Sequence, residues 1–279
     1  MRNALRSSVF CLAGLSITGS AQGQPQAAPP ATAEGEPSHD AGGGDDAVSK
    51  ANNPLTSAIG VNFQNYYVPS LYGVPDAEAN SFLFRGVIPF KLGIAQIARL
   101  TLPVNTVPAV DADGDPDSGL GDLNLFDVLL LSEQGAPVQF GIGPQATFPT
   151  HTDDALGADA WQLGAAAVVI LQPSKELLAG LLVTWQTDIA GDDDTNQLLT
   201  QPLVILQVGA GFYLRSTGIP TFDLESGDYS VPFGVGAGKV VKIDDVVLNM
   251  FLEPQFTLLH HGRGQPALQL FSGINLQVF

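Results

Sequence analysis

Three features of the chain predict an all-β fold, a transmembrane antiparallel up-and-down β-barrel of about 12 strands. Apolar and polar residues alternate with a period of two over segments of about 11–14 residues. The connections between segments alternate between long and short. Aromatic residues gather where the long connections begin and end. Strands of soluble proteins average about 5–6 residues, whereas a tilted strand crossing a bilayer needs about 9–11. Segment length therefore favours a membrane barrel over a soluble sandwich.

The stretch VQFGIGPQATF, Val138 to Phe148, shows the pattern plainly. Val138, Phe140, Ile142, Ala146 and Phe148 share one phase with Pro144, while Gln139, Gly141, Gly143, Gln145 and Thr147 fill the other. In a barrel within lipid the apolar face points out and the polar face lines the lumen. The same rule places strands near 57–68, 80–91, 94–105, 119–132, 136–149, 160–172, 176–189, 199–209, 211–224, 229–242, 245–259 and 266–279. The long connections are VPSLYGVPDAEA, VPAVDADGDPDSG, PTHTDDALGA, IAGDDDTNQL, ESGD and HHGRGQ; the short ones include KLG, SEQG, QPSK, GAG and IDD. Outer-membrane barrels sort their loops in this way, long outside and short in the periplasm. A soluble sandwich has no reason to sort loop length by parity.

Tyr67, Phe148, Trp161, Trp185 and Tyr229 all fall at the long-connection end and share phase with the apolar set of their strands. They form an expected outward aromatic girdle, where amphipathic rings favour the membrane interface. The last segment alternates through Leu268, Leu270, Ile274, Leu276 and Val278 and stops at Phe279. A final amphipathic strand ending in Phe resembles the signal read by the barrel-assembly machinery, although Phe279 lies in the opposite phase from the apolar series.

The N-terminus reads as a secretory leader over 1–23: Arg2 and Arg6, the short apolar run SSVFCLAGLSIT, then Ala21-Gln22-Gly23 at the cleavage point. The single cysteine, Cys11, lies inside it, so the remaining chain has no disulfide or thiolate chemistry. Residues 24–53 are rich in Pro, Ala, Gly and Asp and contain no aromatic residue, which predicts a disordered acidic tail. The barrel is expected over 54–279. No later run reaches the ~18 uncharged apolar residues a membrane helix requires.

The formal charge of −17 argues against nucleic acid as a partner, because phosphate binding needs clustered Lys and Arg. The inward phase carries the candidate lumen-lining residues Arg85, Arg99, Gln139, Gln145, Gln162, Gln186, Arg215, Asn249, Glu253, Gln255 and Asn275, with Thr184 and Gln277 beside them. Such charges either tune a pore or pair to fill a closed lumen. Gly141, Gly143, Gly164, Gly180, Gly234, Gly236 and Gly238 share that phase; they either leave a passage or let strands coil tightly. Asp111, Asp113, Asp115 and Asp117 in DADGDPDSGLGD are spaced as oxygen ligands of a calcium loop, but Pro116 stands where an EF-hand needs Gly. They make a weak calcium site; otherwise no cofactor is expected. His39, His151, His260 and His261 have no serine at a suggestive spacing, so the chain is not read as an enzyme.

From about Asn52 onward the chain resembles bacterial outer-membrane proteins of the MetA-pathway of phenol degradation family, some of which carry the label neuromedin U. The matching segments are NNPL, NFQNYYVPSLYGVPDA, LPVNTVP, SGLGDLN, GPQATFPTHTDDALG, AGDDD, YLRS, FDLESGDYSVPFG and EPQFTLLHHGRGQP. The resemblance implies an outer-membrane barrel associated with uptake of aromatic or other small molecules, with no catalytic residues.

The sequence therefore points to a Gram-negative outer-membrane barrel that passes small solutes, aromatic or otherwise apolar, through a narrow lumen. Its acidic mouth would favour cations. The alternative is a closed barrel with a structural or surface-interaction role through acidic, divalent-cation-binding loops. Expected partners are outer-membrane lipid and lipopolysaccharide, the barrel-assembly machinery and the solutes.

Overall fold

The computed structural model describes residues 50–109 and 115–278. The expected leader, most of the expected tail, Asp111, Asp113 and Phe279 lie outside them. The strands are β1 (Ile59–Leu71), β2 (Ala79–Leu92), β3 (Ile94–Val107), β4 (Asp117–Leu120), β5 (Leu123–Leu130), β6 (Val138–Phe148), β7 (Ala160–Leu171), β8 (Leu177–Gly191), β9 (Asn196–Gly209), β10 (Phe212–Ser216), β11 (Thr221–Asp223), β12 (Tyr229–Gly234), β13 (Gly236–Ile243), β14 (Val246–His261) and β15 (Pro266–Val278). β4 and β5 run along β3, β10 and β11 along β9, and β12 and β13 along β14. Each of these pairs is one interrupted strand, so the sheet is a closed antiparallel barrel of 12 strands.

Neighbours in sequence are neighbours in the sheet, and β1 closes the barrel against β15, with pairs from Ile59↔Val278 to Leu71↔Pro266. Closure removes the free edges that an open sheet would expose. Burial follows the pleat: in β6 Gln139, Gly141, Gly143, Gln145 and Thr147 are buried, while Val138, Phe140 and Ile142 are exposed. The outer face carries Phe63, Phe82, Phe84, Leu100, Val104, Leu125, Leu181, Val204, Leu252 and Ile274, all exposed. That is an apolar exterior around a mixed interior.

The three interruptions differ from the continuous strands the period predicts, and each has a local cause. At Gly121-Asp122, the Asp122 carboxylate accepts from the amides of Thr150, His151 and Ala158, which draws the connection 149–159 into the gap. After Ser216, the Thr217 amide donates to Glu253 Oε1 at 2.7 Å instead of to a neighbouring strand, and Pro220 has no amide to give. The break between Gly234 and Gly236 lies opposite the same residue: a Cβ on either glycine would run into Glu253.

The inward glycines allow close approach of strands. A Cβ at Gly143 would collide with the Asp127 carbonyl, and one at Gly164 with the Trp185 carbonyl, both backbone atoms of the adjacent strand. Only a residue without a side chain lets the two backbones approach this closely. Gly143→Val or Gly164→Val is expected to lower stability by about 1–3 kcal/mol through overpacking. Urea unfolding of the refolded protein in phospholipid vesicles, followed by tryptophan fluorescence, measures it.

Candidate functional site

All eleven candidate lumen residues point into the barrel, and none is more than 5% exposed. The structure joins them into networks. On the β5–β8 wall, Gln145 Nε2 donates to Gln186 Oε1 (3.0 Å), Gln186 Nε2 donates to Gln162 Oε1 (2.6 Å), and Thr147 Oγ1 donates to Gln186 Oε1 (3.1 Å). On the opposite wall, Arg85 bonds Gln64, and Gln64 Nε2 donates to Asn275 Oδ1 at 3.1 Å. Amide side chains both donate and accept, so such chains satisfy one another without water.

Glu253 is heavily engaged. It is fully buried and accepts from Arg215 Nε (2.8 Å), the Thr217 hydroxyl and amide (both 2.7 Å), and Gln255 Nε2 (3.1 Å). A buried carboxylate is tolerable only when its oxygens are satisfied in this way. Arg215 in turn lies 3.7 Å above the Phe251 ring. Phe251 packs edge-on against Phe271, and Phe271 stacks on Tyr66 at 4.1 Å between ring centres. Arg99 sits 4.1 Å over Phe126. The guanidinium groups thus exchange water for aromatic faces. These rings face inward among the polar residues, a placement that the outward phase of most aromatics does not announce.

The half of the interior nearer the short turns carries an apolar cluster beside the buried amides of Gln96, Gln139, Asn249 and Gln277. Leu83, Val87, Ile97, Val128, Ile170, Leu178, Ile205, Val240 and Val247 form one cluster there. Seated in it is the segment 50–58, which leads into β1 at the short-turn end. Ala51 and Leu55 are each 1% exposed and belong to that cluster. Gln277 Nε2 donates to the Ala51 carbonyl (3.1 Å), Asn249 Nδ2 to Asn52 Oδ1 (3.0 Å), and Asn53 Nδ2 to Gln139 Oε1 (3.2 Å). Residues 50–53 fall within the stretch whose composition suggested a tail. Their signal was the apolar inward set near the short turns, which has no reason to exist beside water.

At the long-connection end, Tyr67, Trp161 and Trp185 are exposed on the outer face, and Phe148 and Tyr229 are half-buried. Phe148 and Trp161 pack edge to face at 5.5 Å. Asp115 is exposed and Asp117 half-buried. Among the described residues the one group of His, Asp and Glu side chains close enough to share an ion is elsewhere: His151, Asp154 and Asp159. His151 Nδ1 lies 2.7 Å from Asp122 and Nε2 lies 3.2 Å from Asp159. Burial alone would pull the imidazole down, but the hydrogen bonds and charges of Asp122 and Asp159 outweigh it and raise its pKa. His260 stacks on Tyr72 at 3.6 Å between ring centres.

The crystal structure of the COG4313 outer membrane channel from Pseudomonas putida F1 is similar to this chain, with a TM-score of 0.64 and 19% identity, covering 81% of this chain and 97% of that one. The NanC porin is similar with a TM-score of 0.51 and 10% identity, covering 80% and 100%. At these identities the likeness is one of fold. No family model matches the chain, and no curated protein matches it. The resemblance to the phenol-degradation family therefore rests on the sequence segments alone.

Removing Glu253 strands Arg215 in the interior. Glu253→Ala is expected to cost about 3–5 kcal/mol, whereas Arg215→Met combined with Glu253→Leu recovers part of that loss. Urea midpoints of the single and double variants, compared at equal slope, test it.

Proposed function

We propose that the protein is an outer-membrane channel for passive movement of small solutes, closed at rest by the segment 50–58. The single observation that carries this reading is the seat of that segment: Ala51 and Leu55 in the apolar collar, with hydrogen bonds from Asn249 and Gln277. A segment held by a few hydrogen bonds and two apolar side chains is one that can leave its seat, which a permanent filling has no need to do. The apolar exterior supports placement in lipid, because a closed barrel satisfies every strand amide within itself. The fold shared with an outer membrane channel and a porin supports the same placement.

The solutes best suited to this interior are small and apolar or aromatic. A solute that reaches the rings of Tyr66, Phe126, Phe251 and Phe271 or the amides of Gln64, Gln145 and Gln186 exchanges places with the guanidinium, ring or amide that each now contacts. This preference agrees with what the family resemblance implies. Arg85, Arg99 and Arg215 make the interior basic, whereas the connections at the mouth are acidic. Cation preference therefore belongs to the mouth alone and weakens as salt screens it.

Single-channel conductance in planar bilayers tests the reading. The intact protein is expected to be nearly silent, and a variant lacking residues 24–56 to show stable openings of several-fold higher conductance. Equal conductance of the two removes the plug from the mechanism, and silence of both favours the closed barrel. In vesicles, Trp161 and Trp185 are expected to be quenched by brominated lipid. Absence of quenching in the folded protein would contradict membrane insertion.

A further inference from the structure

The connection 149–159 is fastened down more firmly than a hydrated loop requires. Thr152 exchanges hydrogen bonds with Leu120: its amide donates to the Leu120 carbonyl and its hydroxyl accepts from the Leu120 amide, both at 3.1 Å. Leu156 is 1% exposed, and its carbonyl accepts from Asn105 Nδ2 at 3.2 Å. The far end reaches the next connection: the Asp159 amide donates to Asp193 Oδ2 (2.9 Å), and the Asp159 carbonyl accepts from the Asp192 amide (2.8 Å). Three segments meet at one place, around His151.

His151 is built like a metal ligand with its supporting carboxylate in place. Its side chain is 7% exposed, and Nδ1 lies 2.7 Å from Asp122 Oδ1. Asp122 is held by the amides of Thr150 (3.1 Å), His151 (3.2 Å) and Ala158 (2.8 Å). A carboxylate only accepts, so the Nδ1 proton points at Asp122, and Nε2 is the ring atom left to ligate an ion, which takes the place of the Nε2 proton. A carboxylate behind a histidine in this relation fixes the tautomer and raises ligand basicity at zinc sites. Nε2 faces Asp159 Oδ1 at 3.2 Å. Two ligands about 2.0–2.1 Å from a tetrahedral ion stand roughly 3.3 Å apart, so this spacing already suits a shared ion. Asp154 brings a third donor, all three lying within 4.8 Å of one another.

We propose that His151, Asp154 and Asp159 bind a divalent transition-metal ion of the zinc class, which closes the 149–159 connection on itself at the long-connection end. The imidazole nitrogen sets the class: nitrogen ligands suit zinc, nickel and copper, whereas calcium and magnesium prefer all-oxygen sites. Two carboxylates balance the ionic charge, and a water completes the tetrahedron. The site is separate from the aspartates at 111–117, which the sequence offered as a calcium loop.

Zinc titration of the refolded, tag-free, full-length protein against a chromogenic chelator, after stripping with EDTA, tests the proposal. One equivalent is expected to bind. His151→Gln and Asp159→Asn are each expected to weaken binding at least tenfold, and His260→Gln with His261→Gln to leave it unchanged. Calcium at millimolar concentration is expected not to displace the zinc. Zinc should also slow proteolysis within 149–159 in the wild type and not in Asp159→Asn. Asp159 is half-exposed, so its variant serves if His151→Gln does not refold. Absence of stoichiometric binding, equal affinity in Asp159→Asn, or displacement by calcium overturns the proposal.

Discussion

The pairing of β1 with β15 is the constraint on which the rest of the structure depends. An apolar exterior offers no partner to a backbone amide, so a sheet that carries one on every strand must close on itself. Once it closes, the number of strands, their alternation and the parity of the connections are tied together. A shift of one residue at the seam would turn every outward Leu and Phe of the strand inward and bring Asn62, Gln64 and Asn275 outside. The register from Ile59 to Tyr67 is continuous, and the irregularities occur near the long-connection end, beyond Tyr67. Deviation is placed where water can repair a lost hydrogen bond.

The interior solves a different problem. Closure creates a space that backbone cannot fill, and side chains or chain segments must fill it. Nearer the short turns it is filled by apolar residues and by residues 50–58. In the middle it is filled by amides bonded to amides and by guanidinium groups laid on aromatic rings. Glu253 links these solutions to the sheet itself. By taking the Thr217 amide it withdraws a donor from the ladder, and the neighbouring strands part beside it. One buried carboxylate thereby shapes both the filling and the wall.

The long-connection end is built on other rules. Its chain segments are held by carboxylates that accept from backbone amides, as Asp122 does for 150–158 and Asp193 for Asp159. Acidic residues that appear from composition to be hydrated loop tips thus include structural anchors. A channel reading gives these anchors a purpose, since a mouth that collapsed or wandered would not present a constant path to the lumen.

The sequence by itself determined the strand count, the inward and outward phases, and the long and short ends. These follow from the pleat, which is a local property: each side chain points opposite its neighbour whatever lies across the sheet. The inward placement of Arg85, Arg99, Gln145, Glu253 and the other polar candidates was legible for that reason. Only the tertiary structure decided what those residues meet. Gln145 finds Gln186 and Arg215 finds Glu253 through curvature and closure, and Asp122 finds His151 through the path of a loop. Neither is written in a period of two. The tail composition likewise concealed the seat of Ala51, because a small residue gains its burial from the collar rather than from its own neighbours in the chain. Periodicity fixes the face a residue presents; the partner on that face depends on how the whole ring of strands comes together.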